Sequence, residues 1–275
     1  MDLESLIAAV FLVVTTATPL RVLQWNVRVI PFTGFGERLP RIAAVVARER
    51  PDFVAFEEVW TSGGASAIRR ALAPMGYASC CANRGPFRPG GLLLLWDTTK
   101  GWRVDDVAFV RYARAAPRRM NEGDAFVRNG FLIGNAHDAG GRAFRIAVTH
   151  LQAQYPDHHH PYVDVRLAQV EQVAAALGDG DAIVAGDFNT TPDDAAYAWL
   201  AAHGWRDATA EARRQCQAAA SLPCGTNFED GKLTPDWFDY VFVRGGFGNA
   251  TAQLIRNART DEYSDHEGVL CTISP

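Results

Sequence analysis

The chain has 275 residues, of which 48% are hydrophobic, so it is long enough to enclose a large core. With 21% charged and 11% aromatic residues, its composition excludes a disordered, collagen-like or polytopic membrane chain. Twenty-seven basic and 31 acidic residues give a net charge of −4, which offers no support for a general nucleic-acid binder.

The N-terminus, residues 1–19, is expected to be a signal peptide or hydrophobic leader. The run Ser5–Leu20 carries no charge. Its most hydrophobic part, Leu6–Val14, is long enough for the apolar core of a signal peptide but short for a membrane span. Two acidic residues and no basic residue precede this run, which is the wrong charge for a standard signal. An uncleaved anchor and a first buried element therefore stay as alternatives. We expect a secreted protein, or one associated with membranes through this segment, with residues 20–275 forming a single domain.

Short apolar runs bounded by turn residues predict nine strands. In chain order they are Val22–Val27, Phe53–Val59, Leu92–Trp96, Val104–Tyr112, Phe131–Asn135, Phe144–His150, Ala182–Phe188, Phe238–Val243 and Val269–Ile273. Helical periodicity predicts four helices, which are Leu39–Arg50, Ala65–Ala73, Val163–Leu177 and Asp193–Ala202. Strands that follow one another directly indicate antiparallel pairing, and interspersed helices indicate covered sheets. The predicted fold is an α/β (α+β) four-layered sandwich of two packed, mainly antiparallel β-sheets flanked by helices.

Polar side chains lie where several of these apolar runs begin or end. They are Asn26, Glu57, Glu58, His150, Asp187, Asn189, Asp239, Asp265 and His266. Each alone has an ordinary explanation as a turn residue, a helix cap or a structural hydrogen bond. Together, acidic, amide and imidazole groups at several strand ends would converge on one rim of a sandwich. Because adjacent strand residues point to opposite faces, only one of Glu57 and Glu58 is expected to face that rim.

Six short motifs occur in a fixed order between about Leu20 and the C-terminus. They are Gln24-Trp25-Asn26-Val27, Phe56-Glu57-Glu58-Val59, Thr149-His150-Leu151, Gly186-Asp187-Phe188-Asn189, Phe238-Asp239-Tyr240-Val241 and Ser264-Asp265-His266. In this order they resemble the endonuclease/exonuclease/phosphatase superfamily. Its members are metal-dependent phosphoesterases, among them deoxyribonucleases, inositol-polyphosphate phosphatases and neutral sphingomyelinases, and the resemblance makes residues 20–275 a single catalytic domain.

Within the superfamily, the sequence is most similar to the neutral, Mg-dependent sphingomyelinase branch. The similarity rests on His150-Leu151-Gln152-Ala153-Gln154 followed by Arg166 and Gln169, and on Asp124 with Arg128-Asn129-Gly130-Phe131, where Asn129 takes the place of a Lys. It implies hydrolysis of sphingomyelin to ceramide and phosphocholine by attack of water at phosphorus. A nuclease, or a phosphatase of inositol phosphates or other esters with the same centre, stays as an alternative, and a non-catalytic binding module as a third.

The resemblance also implies a metal site. Glu58 is its principal ligand, with Asn26 beside it and Asp265 in a metal-proximal or histidine-paired cluster. The ion is expected to be Mg²⁺, with Mn²⁺ as the alternative, because hard cations prefer oxygen ligands. Glu57 is then expected to be an outward-facing surface acid.

The remaining polar residues take catalytic roles by the same resemblance. His266 is expected to be the general base that takes a proton from water, oriented by a neighbouring acid. Asp187 positions the nucleophile or protonates the leaving oxygen, and His150 and Asn189 donate hydrogen bonds to the phosphoryl oxygens. Asp239 is expected to hold His150 or the local loop.

The expected partner is a phospholipid substrate at a membrane surface, with no stable nucleic-acid complex and a monomeric protein. The apolar segment Val29–Gly36 would either rest on lipid near the catalytic rim or fold over the core. Cys216 and Cys224 would either form a disulfide in an oxidising compartment or serve as small buried residues.

Overall fold

The computed structural model describes residues 18–82, 90–117, 127–154, 161–219, 223–229, 231–257 and 263–275. Nearly all of the expected leader, and Asp124 of the sphingomyelinase-like pattern, lie outside the described residues. Within these ranges, no helix combines the length and apolarity needed to cross a membrane.

The first sheet contains six strands. They are β1 (Leu20–Val29), β2 (Phe53–Val59), β3 (Tyr77–Cys81), β4 (Leu93–Asp97), β13 (Ala250–Ile255) and β14 (Gly268–Ile273). Their order in space is β13-β14-β1-β2-β4-β3. β1 and β2 pair in parallel, whereas the other neighbours in this sheet pair antiparallel.

The second sheet also contains six strands. They are β5 (Arg103–Arg111), β6 (Gly130–His137), β7 (Ala143–His150), β8 (Ala182–Asp187), β9 (Arg206–Asp207) and β12 (Asp239–Arg244), in the order β5-β6-β7-β8-β12-β9. Here β7 and β8 form the parallel pair, and the other neighbours are antiparallel. Two further short strands, β10 (Phe228–Glu229) and β11 (Lys232–Leu233), pair with each other.

Helices cover both sheets. They are α1 (Phe35–Glu49), α2 (Ser62–Leu72), α3 (Val163–Leu177), α4 (Ala195–Ala202) and α5 (Ala210–Ala219), with 3-10 turns at Ala73–Met75 and Thr98–Lys100. One apolar core fills the space between the sheets and continues beneath α3 and α4. A second core lies between the first sheet and the helices α1 and α2. These layers confirm the predicted sandwich of two packed, mainly antiparallel sheets flanked by helices.

The sequence did not predict five of the described strands, which are the two-residue strands β9, β10 and β11 and the edge strands β3 and β13 of the first sheet. β3 and β13 occupy its two outer positions, where most of their residues are only half-buried or exposed. An edge strand needs fewer apolar side chains, so its signal in the sequence is weak. α1 also begins four residues before the predicted start at Leu39, so that Pro40 lies inside the helix.

Candidate active site

The two parallel strand pairs bring polar residues to one end of the sandwich. Asn26 lies opposite Glu57 in the β1–β2 pair, and His150 lies opposite Asp187 in the β7–β8 pair. Asp239 begins the neighbouring antiparallel strand β12 and lies opposite Asp187. Because parallel strands end at the same edge of a sheet, residues from distant parts of the sequence share one rim.

A glycine and two residues with left-handed backbone help to position these side chains. Gly186 permits β7 and β8 to approach closely, because a Cβ at this position would collide with the backbone of Thr149. Glu58 and Asn189 are non-glycine residues in the left-handed region, with φ of 55° and 48°. Such residues are costly for the backbone, and they cluster at functional sites.

Asn26 connects the two sheets and touches two candidate acids. Its Nδ2 donates to Oδ2 of Asp187 at 3.1 Å and to Oε1 of Glu58 at 3.2 Å. Its side chain is fully buried, and its Oδ1 accepts the backbone N–H of Arg28 at 3.2 Å. The structure thus places Asn26 beside Glu58, the arrangement that the sequence predicts for the metal site.

Gln24 makes a second connection between the sheets, and sequence reasoning assigned it no role. Its Nε2 donates to Oδ1 of Asp239 at 2.6 Å and to Oε2 of Glu57 at 2.8 Å. In a strand, Gln24 shares a face with Asn26 two residues later, so alternation was the signal that could have identified it.

The expectation that Glu57 is a surface acid is wrong. Glu57 is fully buried, and burial, together with the negative charges of Asp239 and Asp187, raises its pKa well above the ordinary value. The left-handed backbone at Glu58 breaks the strand alternation, so both adjacent carboxylates lie near the rim. Burial also raises the pKa of Glu58, although the positive charges of His150 and His266 act to lower it.

His266 and Asp239 form a hydrogen-bonded pair. Nδ1 of His266 donates to Oδ2 of Asp239 at 2.8 Å, and Nε2 of His266 lies 3.7 Å from Oδ2 of Asp187. The sequence predicted that Asp239 holds His150 or the local loop; the stacking of the sheets instead places His266 against its Oδ2. Burial alone lowers the pKa of His266, but Asp239 and Asp187 outweigh it and raise that pKa well above its ordinary value.

His150 and Asn189 flank Asp187. Nε2 of His150 lies 3.6 Å from Oδ2 of Asp187, and its ring centroid is 6.0 Å from that of Trp60. The backbone N–H of Asn189 donates to Oδ1 of Asp187 at 3.0 Å, while its Nδ2 donates to the carbonyl of Leu151 at 3.2 Å. The imidazole of His150 and the backbone N–H of Asn189 therefore both lie close to the carboxylate of Asp187.

Asp265 is held by an ion pair. Its Oδ2 lies 3.2 Å from Nε of Arg28, and its Oδ1 accepts the hydroxyl of Ser264 at 3.2 Å. Arg28 is partly exposed, and no feature of the sequence indicated its contact with Asp265. The structure thus places Asp265 at the rim with a cationic partner of its own.

The donor set of this rim fits a hard divalent cation. Among the described residues, the one group of three whose ligand atoms all lie within 4.8 Å of one another is Asp187, Asp239 and His266. Glu57 adds a buried carboxylate and Glu58 a partly buried one, and burial raises the pKa of both. Mg²⁺ and Mn²⁺ prefer sites in which most of the ligand atoms are oxygens.

Comparison with solved structures finds the same architecture at low sequence identity. An endonuclease/exonuclease/phosphatase from Bacteroides vulgatus has a TM-score of 0.73 and 19% identity, over 94% of this chain and 99% of that one. A mannosyl-6-phosphatase from Bacteroides thetaiotaomicron gives 0.69 and 20%, over 93% and 100%. The human Nocturnin catalytic domain with bound sulfate gives 0.69 and 21%, over 94% and 93%. At these identities the likeness shows the fold alone.

Comparison with curated protein sequences finds no match. The model of the Endonuclease/Exonuclease/phosphatase family, in contrast, matches residues 23–266, a range that contains every rim residue described above. The chain therefore belongs to the endonuclease/exonuclease/phosphatase family, whose members hydrolyse phosphate esters and generally use divalent metal ions.

Proposed function

We propose that this protein is a Mg²⁺-dependent phosphodiesterase that hydrolyses sphingomyelin to ceramide and phosphocholine. The observation that carries the hydrolytic part is the His266–Asp239 hydrogen bond of 2.8 Å, beside Asp187 and across the rim from Glu58. An imidazole held by a buried carboxylate is suited to take a proton from water.

Each rim residue has a definite task in this reaction. His266 accepts the proton of the attacking water at Nε2, because Nδ1 is occupied by Asp239. Asp187 positions that water or protonates the leaving oxygen. His150 and Asn189 donate to the non-bridging oxygens of the phosphoryl group, where charge develops in the transition state.

The proposed ion is Mg²⁺, held by Glu58 with Asn26 beside it. A bound divalent cation neutralises charge on the phosphoryl group and on the leaving oxygen. We propose Mg²⁺ over Mn²⁺ because one or two carboxylates, with water and phosphate oxygens, are its usual ligand set.

The lipid part of the proposal is supported by the loop that follows β1. Phe32 is fully exposed and Ile30 is 37% exposed, although both follow Asn26 by only a few residues. The buried Arg38 braces this loop by donating to the carbonyls of Val27 at 3.0 Å and Arg28 at 2.7 Å. A fixed loop that presents apolar side chains beside the rim suits an enzyme that works on a lipid surface.

Export is part of the same proposal. Cys216 and Cys224 form a disulfide, the first of the two arrangements that the sequence left open. Disulfides persist in oxidising compartments, which supports a secreted protein. We propose that it acts as a monomer on phospholipid without a stable nucleic-acid complex.

A second candidate is a phosphatase or nuclease that uses the same centre. It draws support from the solved mannosyl-6-phosphatase that shares this fold. The two candidates differ in substrate and not in the chemistry of the rim, so a direct comparison of substrates separates them.

The test measures phosphocholine release from sphingomyelin vesicles and nicking of supercoiled plasmid by the same purified preparation. Both assays contain Mg²⁺, with EDTA-treated protein and the His266→Ala variant as controls for contaminating enzymes. We expect faster turnover of sphingomyelin. Faster nicking of plasmid, or phosphocholine release that His266→Ala does not reduce, would contradict the proposal.

A further inference from the structure

Arg166 occupies the junction between the segments that carry His150 and Asn189. It lies on α3, and its side chain is only 1% exposed. Its Nη1 donates to the carbonyl of Pro161 at 2.6 Å and lies 3.5 Å from the carbonyl of Gln152, two residues after His150. A fully buried guanidinium is costly unless its partners are well placed, so these contacts fix the position of α3 against this segment.

The same guanidinium reaches the segment after β8. Its Nη2 donates to Oδ2 of Asp194 at 2.8 Å, and Oδ1 of Asp194 caps α4 by accepting the N–H of Ala196 at 3.1 Å. Asp194 follows Asn189 by five residues, and its own N–H donates to the carbonyl of Thr191 at 3.0 Å. Asp194 thus closes the turn after Asn189 through its backbone N–H, and its carboxylate caps α4 and binds Arg166.

Direct bonds already connect the two segments at the rim. The N–H of Leu151 donates to the carbonyl of Asp187 at 2.9 Å, and Gln169 accepts the N–H of Gln152 at 2.8 Å. The Arg166–Asp194 pair adds a buried contact between α3 and the segment that carries Asn189. His150 and Asn189 therefore lie on two segments that are joined directly by a backbone bond and also, through α3, by a buried ion pair.

We propose that Arg166 and Asp194 are positioning residues that set the distance between the donors of His150 and Asn189, so that both reach one phosphoryl group. The proposal rests on the roles proposed for these two donors. Two donors on separate segments stabilise a transition state together only if their spacing holds within a fraction of an ångström.

The test uses Arg166→Met, Arg166→Lys and the double variant Arg166→Met/Asp194→Asn. Methionine fills part of the space but leaves the Asp194 carboxylate buried and unpaired, whereas the double variant removes that charge as well. The matched control is Arg50→Met. Arg50 donates to Asp97 at 2.6 Å, and Asp97 caps the 3-10 turn Thr98–Lys100 at the opposite end of the sandwich.

Four quantities are measured for every variant. They are kcat and KM for bis(p-nitrophenyl) phosphate with Mg²⁺, the melting temperature, and the rise in melting temperature that inorganic phosphate produces. We expect Arg166→Met to lose about 10- to 100-fold in kcat with KM within about threefold, and to lose most of the phosphate-induced rise. Lysine should recover part of kcat. The double variant should recover melting temperature but not kcat.

A purely structural role gives a different result. If Arg166→Met retains kcat within about twofold of Arg50→Met at equal loss of melting temperature, the proposal is overturned. Recovery of kcat along with stability in the double variant overturns it too. If the wild type fails to turn over the probe, the proposed reaction is wrong. The positioning role is then decided by the phosphate-induced rise in melting temperature alone. It is overturned if that rise is equal in the wild type and Arg166→Met, or absent from both.

Discussion

The imidazole of His266 donates from Nδ1 to Oδ2 of Asp239 at 2.8 Å, and Asp239 is fully buried. The pair joins the segment before β14 in the first sheet to the start of β12 in the second. Because Nδ1 is engaged, Nε2 is the nitrogen left to exchange a proton at the rim. The contact therefore fixes both the orientation of the ring and the nitrogen at which it acts.

Replacing His266 by Ala should leave the fold intact and lower kcat by about 10²- to 10⁴-fold, because the general base is lost. The measurement is the initial rate on sphingomyelin vesicles and on bis(p-nitrophenyl) phosphate. His203→Ala is the control, since His203 is an exposed histidine at the end of α4. A His266→Ala rate within about twofold of the control would remove His266 from the mechanism.

Asp239→Asn should lower kcat by about 10²-fold or more while KM changes little, because an amide can hold the imidazole in the wrong tautomer. The same change should lower the pH at which the rate rises, since the carboxylate of Asp239 helps to raise the pKa of His266. The pH–rate profile tests this point. An unchanged profile would show that Asp239 does not act through His266.

Glu58→Gln should weaken activation by Mg²⁺ by about tenfold or more, because the carboxylate is replaced by a neutral amide oxygen. The measurement is the rate as a function of Mg²⁺ concentration after EDTA treatment, with Glu49→Gln at the end of α1 as the control. The Asn26 contact at 3.2 Å can persist in the variant, so a large change in fold is not expected. An activation curve that superposes on that of the wild type would exclude Glu58 as the main ligand.

Phe32→Ala should reduce co-sedimentation with sphingomyelin vesicles and slow hydrolysis of vesicles by roughly tenfold, because the exposed ring no longer enters the lipid surface. Its rate on soluble bis(p-nitrophenyl) phosphate should stay within about twofold. Val163→Ala, at another exposed apolar side chain on α3, is the control. An equal loss on both substrates would show that Phe32 contacts the substrate itself and not the membrane.

The stability of the fold should fall as the pH rises from 4.5 to about 7 because of Glu267. Burial raises the pKa of this acid from 4.5 to about 7, so the folded state binds its proton more tightly than the unfolded chain does. The stabilisation is complete below pH 4.5 and is lost as the pH rises through 7. Glu267→Gln should therefore be more stable than the wild type at pH 8.5, by on the order of 2 kcal/mol, and gain less at pH 5. Urea unfolding at both pH values measures this, and an equal difference at each would contradict it.

Local patterns in the sequence predicted several of the polar residues that the structure brings together at the rim. Apolar runs that end in polar residues located Asn26, His150 and Asp187, since a strand end is a local property. Two points depended on geometry that the sequence does not carry. The left-handed backbone at Glu58 brings this second carboxylate close to Asn26 although Glu57 already faces the interior, and the stacking of one sheet on the other gives Asp239 its histidine partner.

The polar contacts from Gln24 to Asp239, from Asn26 to Asp187 and from His266 to Asp239 all run from one sheet to the other. The polar residues of the rim thus come from both sheets, and the packing of apolar side chains between the sheets determines the distances between them. Substitutions among the apolar side chains between the sheets, far from any reactive group, should therefore change kcat. Homologues with identical polar residues at the rim would then differ in kcat because their cores pack differently.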